Sequence, residues 1–253
     1  MKNINYLLLI SSISIINFSC DKSTSEEFDE VNGNVDTRLM SSISVVSAQS
    51  AEENRNILFT YNTDNRLTTI SDGVETNIFS YENGSLANVT NGSGNATIEE
   101  LYQSPYDALE YGIVEEYDDN GNPFLIKFPE YAYNDTTQED ELVYYTSEIS
   151  YDNKPNPYYK TAEAAGLIEV LDRVRLNFAM APQAEEIVKA KVLFPNNNPS
   201  QIIYKDENGE ILYTINMAYT YDGDYPTSAT VTSVSTEGGT TYSYNTTFSY
   251  VTN

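Results

Sequence analysis

One pattern recurs along this chain: an apolar residue, one further residue, a tyrosine, a short run of Asp, Asn and Gly, and then another apolar stretch. Phe59-Thr60-Tyr61-Asn62-Thr63-Asp64-Asn65 runs into Arg66-Leu67-Thr68-Thr69-Ile70, and Phe79-Ser80-Tyr81-Glu82-Asn83-Gly84 into Ser85-Leu86-Ala87-Asn88-Val89. Tyr117-Asp118-Asp119-Asn120-Gly121, Tyr204-Lys205-Asp206-Glu207-Asn208-Gly209 and Tyr221-Asp222-Gly223-Asp224 repeat the theme. Asn-Gly tolerates positive φ at both central positions of a turn, which a two-residue hairpin demands. The flanking segments alternate apolar and polar residues and are rich in Tyr, Thr and Val, as suits a half-buried antiparallel strand. Ile211–Tyr221, Thr227–Val234 and Thr240–Val251 alternate almost throughout. The expected fold class is mainly β: an antiparallel β-meander of repeated hairpins, about ten to twelve strands, with a small helical insert packing on the sheet. The tyrosines at 61, 81, 117, 151, 204 and 221 are unevenly spaced, so the closed blade pattern of a propeller is not expected.

The insert announces itself where the alternation stops. Tyr151-Asp152-Asn153-Lys154-Pro155-Asn156-Pro157 reads as a proline-rich turn. Beyond it Ala164, Leu167, Ile168, Leu171, Val174 and Phe178 fall at helical spacing, with Thr161 as the expected N-cap. Pro182 is placed to open a second short helix through Lys191, and Pro195-Asn196-Asn197-Asn198-Pro199 to force a loop. The insert is therefore expected over 158–194, covering one face of the sheet.

The first residues read as an address. Lys2 is followed by an apolar stretch from Tyr6 to Ile16, then Asn17-Phe18-Ser19-Cys20. That stretch is too short for a membrane-spanning helix, which needs about 20 residues, and has the length of a signal peptide. A small residue before the chain's one cysteine resembles the cleavage site of bacterial lipoproteins. The resemblance implies a leader over 1–19, a lipid on Cys20 and a membrane as partner through that lipid. An ordinary secretory signal is the alternative. Residues 20–38 are acidic and poor in large apolar side chains, which predicts a flexible tether, with a single β-rich domain over 39–253. Asp21, Lys22, Glu26 and Glu27 resemble the export signal of surface lipoproteins in the Bacteroidota, implying an outer-membrane, surface-exposed protein; a solvated linker is the other reading.

The tyrosine-Asp/Asn hairpins of residues 40–253 resemble the YD-type repeats of Bacteroidota secreted lipoproteins of uncharacterised function. That resemblance implies an extended antiparallel sheet and carries no catalytic residue to this chain.

Composition narrows the chemistry further. The chain has no histidine and a single cysteine, so Ser-His-Asp and Cys-His mechanisms, histidine and Cys₄ zinc sites, and an internal disulfide are all excluded. Its formal charge of −25 opposes nucleic-acid phosphates. Between Glu99 and Asp152 lie 15 acidic residues and one lysine, which raises the question of a divalent cation. Asp118, Asp119, Asn120 and Asn122 superficially match a calcium loop, yet Pro123 and Pro129 stand where the EF-hand needs glycine and glutamate, and Asn-Gly turns use the same residues. Glu115/Glu116 and Glu139/Glu141 are the densest carboxylate pairs for glycoside hydrolysis, but neighbours on a strand point to opposite faces.

The excess of tyrosine, 22 residues, is more informative. Tyrosine rings make rigid amphipathic contacts, and those outside the repeat are candidates to contact a glycan or a surface protein: Tyr131, Tyr133, Tyr144, Tyr145, Tyr158 and Tyr159, with Tyr102, Tyr106 and Tyr111 in the same irregular stretch. The opposing reading is that tyrosine is simply a good strand residue. Three functions fit: a non-catalytic surface binding or scaffold module, an accessory subunit of an outer-membrane uptake or secretion complex, and, least favoured, a carboxylate-dependent glycan-active enzyme.

Overall fold

The computed structural model describes residues 23–33, 35–91, 94–97, 113–134, 136–173, 194–236 and 238–251. Among the described residues thirteen strands form one antiparallel sheet, one more than the longest meander expected. They are β1 (Met40–Ser47), β2 (Arg55–Tyr61), β3 (Leu67–Ser71), β4 (Thr76–Glu82), β5 (Ser85–Asn91), β6 (Gly94–Thr97), β7 (Ile113–Tyr117), β8 (Pro123–Asn134), β9 (Glu139–Pro155), β10 (Asn197–Lys205), β11 (Ile211–Asp222), β12 (Tyr225–Ser235) and β13 (Thr241–Tyr250). The order across the sheet is β6-β5-β4-β3-β2-β1-β13-β12-β11-β10-β9-β8-β7. The chain thus starts in the middle, walks out to one edge, resumes at the other edge, and walks back until β13 pairs with β1.

The recurring tyrosines acquire a physical reason in this arrangement. Five hairpins share one device at the end away from their connecting turn. Tyr61 donates its phenol to the Met40 carbonyl at 2.7 Å, Tyr81 to Leu67 at 2.7 Å, Tyr151 to Pro123 at 2.8 Å, Tyr219 to Pro199 at 3.1 Å and Tyr250 to Pro226 at 2.7 Å. The strand registers of these pairs begin at Ser42↔Leu58, Thr69↔Ile78, Leu125↔Glu148, Gln201↔Asn216 and Ser228↔Thr247. In every case the acceptor lies two residues before the first paired residue, and the tyrosine three residues after its partner. Each acceptor lies just beyond the ladder of its own hairpin while its residue is paired with the strand on the other side, and the tyrosine latch adds a hydrogen bond where the hairpin ladder stops. Three of the acceptors are prolines, which have no N–H to lose at the start of a strand.

The helices show that the sheet is rolled. α2 (Pro157–Ala164) and α3 (Leu167–Arg173) meet at a turn through Ala165 and Gly166. Asn156 caps α2 through its side chain and Pro157 takes the first helical position, so the helix begins before the expected cap at Thr161. Asn156 N–H donates to the Asn196 carbonyl, at the foot of β10. Nine residues later Tyr81 of β4 reaches the Ala165 carbonyl, and Gly166, the next residue, lies so close to β5 that an added Cβ would stand 3.2 Å from Leu86 Cβ. Gly166 has φ +75°, so both conformation and space require glycine there. Strands β9 and β5 are nine places apart in the sheet, about 43 Å if it were flat. Ten helical residues cover about 15 Å. The sheet must curl for one short helix to touch both sides, and α2 is a chord across its bore.

Midway along this chord, Thr161 is buried and its hydroxyl accepts from Met40 N–H at 3.0 Å. Ala165 and Val170 pack with Leu67, Phe79 and Leu86 of β3–β5, while Met40, Ile43, Ala229 and Phe248 close the core of the central strands. Of the expected insert, the second helix, Val174 and Phe178 fall outside the described residues.

The segment expected as a flexible tether carries a helix instead. α1 (Thr24–Asn32) begins with a capping box between Ser23 and Glu26. Phe28 is fully buried and stacks on Tyr159 with ring centroids 3.9 Å apart. Thr24 bonds Asp172 through both its N–H (3.0 Å) and its hydroxyl (2.5 Å), and Lys160 reaches Asp29 at 3.2 Å. Asn32 adds hydrogen bonds to Asn196 (3.1 Å) and from Asn197 (3.2 Å), so an aromatic stack and several polar clamps dock the helix, leaving Glu26, Asp29 and Glu30 exposed.

Replacing Tyr61, Tyr81 or Tyr151 by Phe removes a latch hydrogen bond. Each change is expected to lower unfolding free energy by about 0.5–1.5 kcal/mol with the fold retained, read from urea denaturation midpoints.

Candidate ligand cavity

Strand alternation assigns each side chain to a wall. Through the cross-strand pairs Tyr219↔Ala229, Met217↔Val231 and Ala229↔Thr246, these residues share the face that α2 crosses. Between helix and sheet lies a cavity of about 300 Å³. Pro157 and Tyr158 form its roof; Met217, Tyr219, Ala229, Val231, Thr246 and Phe248 its floor; Pro195, Asn198 and Pro199 its side. The Tyr158 ring meets Phe248 edge-on, centroids 6.4 Å apart. Burial raises the phenol pKa of both Tyr158 and Tyr219. Among the described residues no charged side chain lines the cavity, so this lining suits an apolar guest with a few polar anchors.

The same inner face continues beyond the cavity through Ile149, Ile202 and Ile215, and through Phe128, Tyr204 and Tyr213, the last two stacked at 4.3 Å. The outer face is the opposite in character. Its rows include Thr220–Ser228–Thr247–Ser44 and Asn216–Thr232–Ser243. A membrane-spanning barrel turns apolar residues outward and polar ones inward. These central rows do the reverse, while Val46, Leu58 and Ile78 are apolar side chains exposed on the same outer face.

The six tyrosines singled out from the sequence part company. Tyr158 lines the cavity. Tyr145 pairs with Phe128 on the inner face. Tyr131, Tyr133 and Tyr144 share the outer face of β8 and β9 and are exposed. Tyr159 cannot meet a ligand: it is wholly buried under Phe28, where the docking of α1 consumes its ring. Tyr102, Tyr106 and Tyr111 lie outside the described residues. Met217, Ala229, Val231 and Phe248 were not singled out; their only signal was the alternation of the last three strands.

The acidic loop forms a turn. Asp118 accepts from the N–H groups of Asn120 (2.9 Å) and Asn122 (2.8 Å), and from the Asn122 side-chain amide (3.0 Å). Asn122 is fully buried and bonds Asn197, and Asn120 reaches Asn197 as well. Asp119 is exposed. The Asp118 carboxylate and the Asn122 side-chain oxygen, which accepts from Asn197 N–H at 3.1 Å, are thus turned toward N–H donors. Among the described residues no group of three or more acidic or cysteine side chains is placed to hold a metal ion. The Asn196–Asn198 run, expected as a loop, is buried and opens β10: Asn198 bonds Asp152 and Tyr221, tying the ends of β9 and β11 together. Glu115 pairs with Lys127 at 3.1 Å, and hydrogen bonds from Asn134 and Thr137 hold the Glu141 carboxyl below its usual range.

Burial pushes the Tyr61 and Tyr225 phenols up to about 12, opposed by the Thr161 hydrogen bond in the first and by Arg38 in the second. Tyr151, Tyr219 and Tyr250 are raised for the same dominant reason. A raised phenol pKa means that the fold favours the neutral form. That stabilisation is complete below about pH 10, the unfolded value, and fades as pH rises through 12 and above. In a phenolate absorbance titration, exposed tyrosines are expected to ionise near pH 10. The latch tyrosines should ionise later, together with loss of the strand circular-dichroism signal; a single transition near pH 10 with the fold intact contradicts this.

No protein-family model and no curated protein matches the chain. Among solved structures, a porin-like protein from Bacteroides uniformis is similar at 13% identity and a TM-score of 0.39, over 84% of this chain and 98% of that one. A porin-like protein from Bacteroides vulgatus is similar at 8% identity and a TM-score of 0.32, over 86% and 100%. A LolA superfamily protein from Nitrosomonas europaea is similar at 9% identity and a TM-score of 0.27, over 90% and 91%. At these values no function passes from those proteins to this chain.

Proposed function

We propose that this chain is a non-catalytic binding module, anchored to a bacterial membrane through lipid on Cys20, that holds an apolar ligand inside its rolled sheet. The observation that carries the reading is the cavity of about 300 Å³ beneath α2, whose described lining is free of charged side chains. The apolar side chains on the inner face and the polar outer rows of the central strands support it, since apolar surface gathered on the inside favours an oily guest. The resemblance of the leader to lipoprotein signals supports the anchor. Because α1 starts at Thr24, only the residues from Asp21 to Ser23 separate Cys20 from packed structure. Extended, they reach about 10 Å, so the domain rides close to its membrane.

The ligand reading is tested with the chain from Asp21 onward and the neutral dye N-phenyl-1-naphthylamine. Dye fluorescence is expected to rise on mixing and to fall again when a long-chain alcohol competes. Ala229→Trp fills the floor of the cavity and is expected to lower dye binding at least tenfold while the strand signal persists. No enhancement, or equal binding by that variant, overturns the reading. Separately, Cys20→Ala is expected to move the protein from the membrane fraction to the soluble one; unchanged retention removes the anchor.

A further inference from the structure

The β8–β9 hairpin carries a feature that the cavity does not use. Its register runs without a shift from Leu125↔Glu148 to Asn134↔Glu139. Tyr131 stands opposite Leu142, Pro129 opposite Tyr144, and Tyr133 two residues beyond Tyr131. All lie on the outer face, because Phe128 and Tyr145 are paired on the inner one. Tyr131 is 76% exposed, Tyr133 61%, Leu142 49% and Tyr144 44%. Strand geometry sets Tyr131 and Tyr133 about 7 Å apart and places Tyr144 on the diagonal at a similar distance. Three tyrosines therefore share one exposed surface. β7 pairs with β8 only as far as Lys127, so among the described residues nothing flanks the platform on that side.

The chemistry of its surroundings selects the occupant. The two described lysines on these strands are already engaged, Lys127 with Glu115 at 3.1 Å and Lys154 with Asp224 at 2.9 Å. The hairpin tip carries Glu139, Asp140 and Glu141. Among the described residues an anionic ligand meets carboxylates and no free cation here, whereas hydroxyl donors meet acceptors. The platform exposes roughly 400 Å², taking about 150–250 Å² for each ring. That is about half of the ~800 Å² per partner that a stable protein interface needs. A sugar ring has a C–H face that lies on an aromatic face and hydroxyls at its rim. We infer that Tyr131, Tyr133 and Tyr144 form a stacking site for a neutral polysaccharide chain, separate from the interior cavity.

The probes are cellohexaose, maltohexaose and chitohexaose, titrated calorimetrically into the chain from Asp21 onward. At least one is expected to bind, and Tyr131→Ala with Tyr133→Ala to weaken it about tenfold or more, while Tyr131→Phe, which keeps the ring, retains most of the affinity. All three tyrosines are exposed, so the double variant is expected to keep the wild-type strand signal and the naphthylamine binding of the cavity. The proposal falls if none of the three sugars binds, or if the double variant binds as well as the wild type. It also falls if light scattering shows a wild-type dimer that the double variant abolishes, for then a second copy occupies the platform. The cavity reading stands or falls on the dye alone, so the two failures are distinguishable.

Discussion

A helix laid across the bore of a curled sheet is the constraint on which this structure depends. α2 touches β10 at one end, β1 at its middle through Thr161, and β4–β5 at its far end. An α-helix is stiff and its length is set by residue count, so it fixes the distance between walls that the sheet alone leaves free. The β-strands contribute hydrogen bonds along the wall; the helix contributes the diameter. Everything assigned to the interior follows from that spacing, including the space left between Tyr158 and the floor of β11–β13. The second lock, α1, rests on the first: Phe28 stacks on a ring that α2 presents.

The division of labour between faces follows from the same geometry. Once the sheet curls, the two alternating sets of side chains on each strand meet different solvents. The inner set is Ile, Val, Phe, Met and Tyr; the outer set on the central strands is mostly Ser, Thr and Asn. Tyrosine serves on both sides because it is amphipathic. At the latched end its ring lies in the core and its hydroxyl completes a backbone hydrogen bond. On β8 and β9 the ring itself is the exposed surface. One residue type thus fills two roles that differ only in strand phase.

Much of the wall was legible in the sequence, because alternation and Asn-Gly turns are local properties. Hairpins, strand direction and the helical interruption could all be read from a few residues at a time. The latch was only half legible. Tyr61, Tyr81 and Tyr151 stood out by their neighbours, but Tyr219 and Tyr250 belong to the same device and lack the Asp/Asn signature, since what defines the device is register rather than sequence spacing. The cavity was not legible at all: Met217, Ala229 and Phe248 sit on different strands and converge only after the sheet curls. Tyr159 and the buried run Asn196–Asn198 misled for a related reason. Polar or aromatic residues beside prolines look exposed until a partner from elsewhere, Phe28 or Asn122, covers them.

The pairing of β1 with β13 also bears on how the molecule comes into being. A strand emerging near residue 40 finds β2 within a few residues, but its other edge waits for the last strand of the described chain, some 200 residues later in sequence. Until then the centre of the finished sheet is an open border, lined by Ile43 and Val45. Contacts this distant in sequence make folding slow. A chain emerging from its amino end therefore assembles the two arms of the sheet independently and joins them last. The outermost strands, by contrast, come from mid-chain. Shortening the molecule from its carboxyl end removes no border strand; it opens the sheet at its middle.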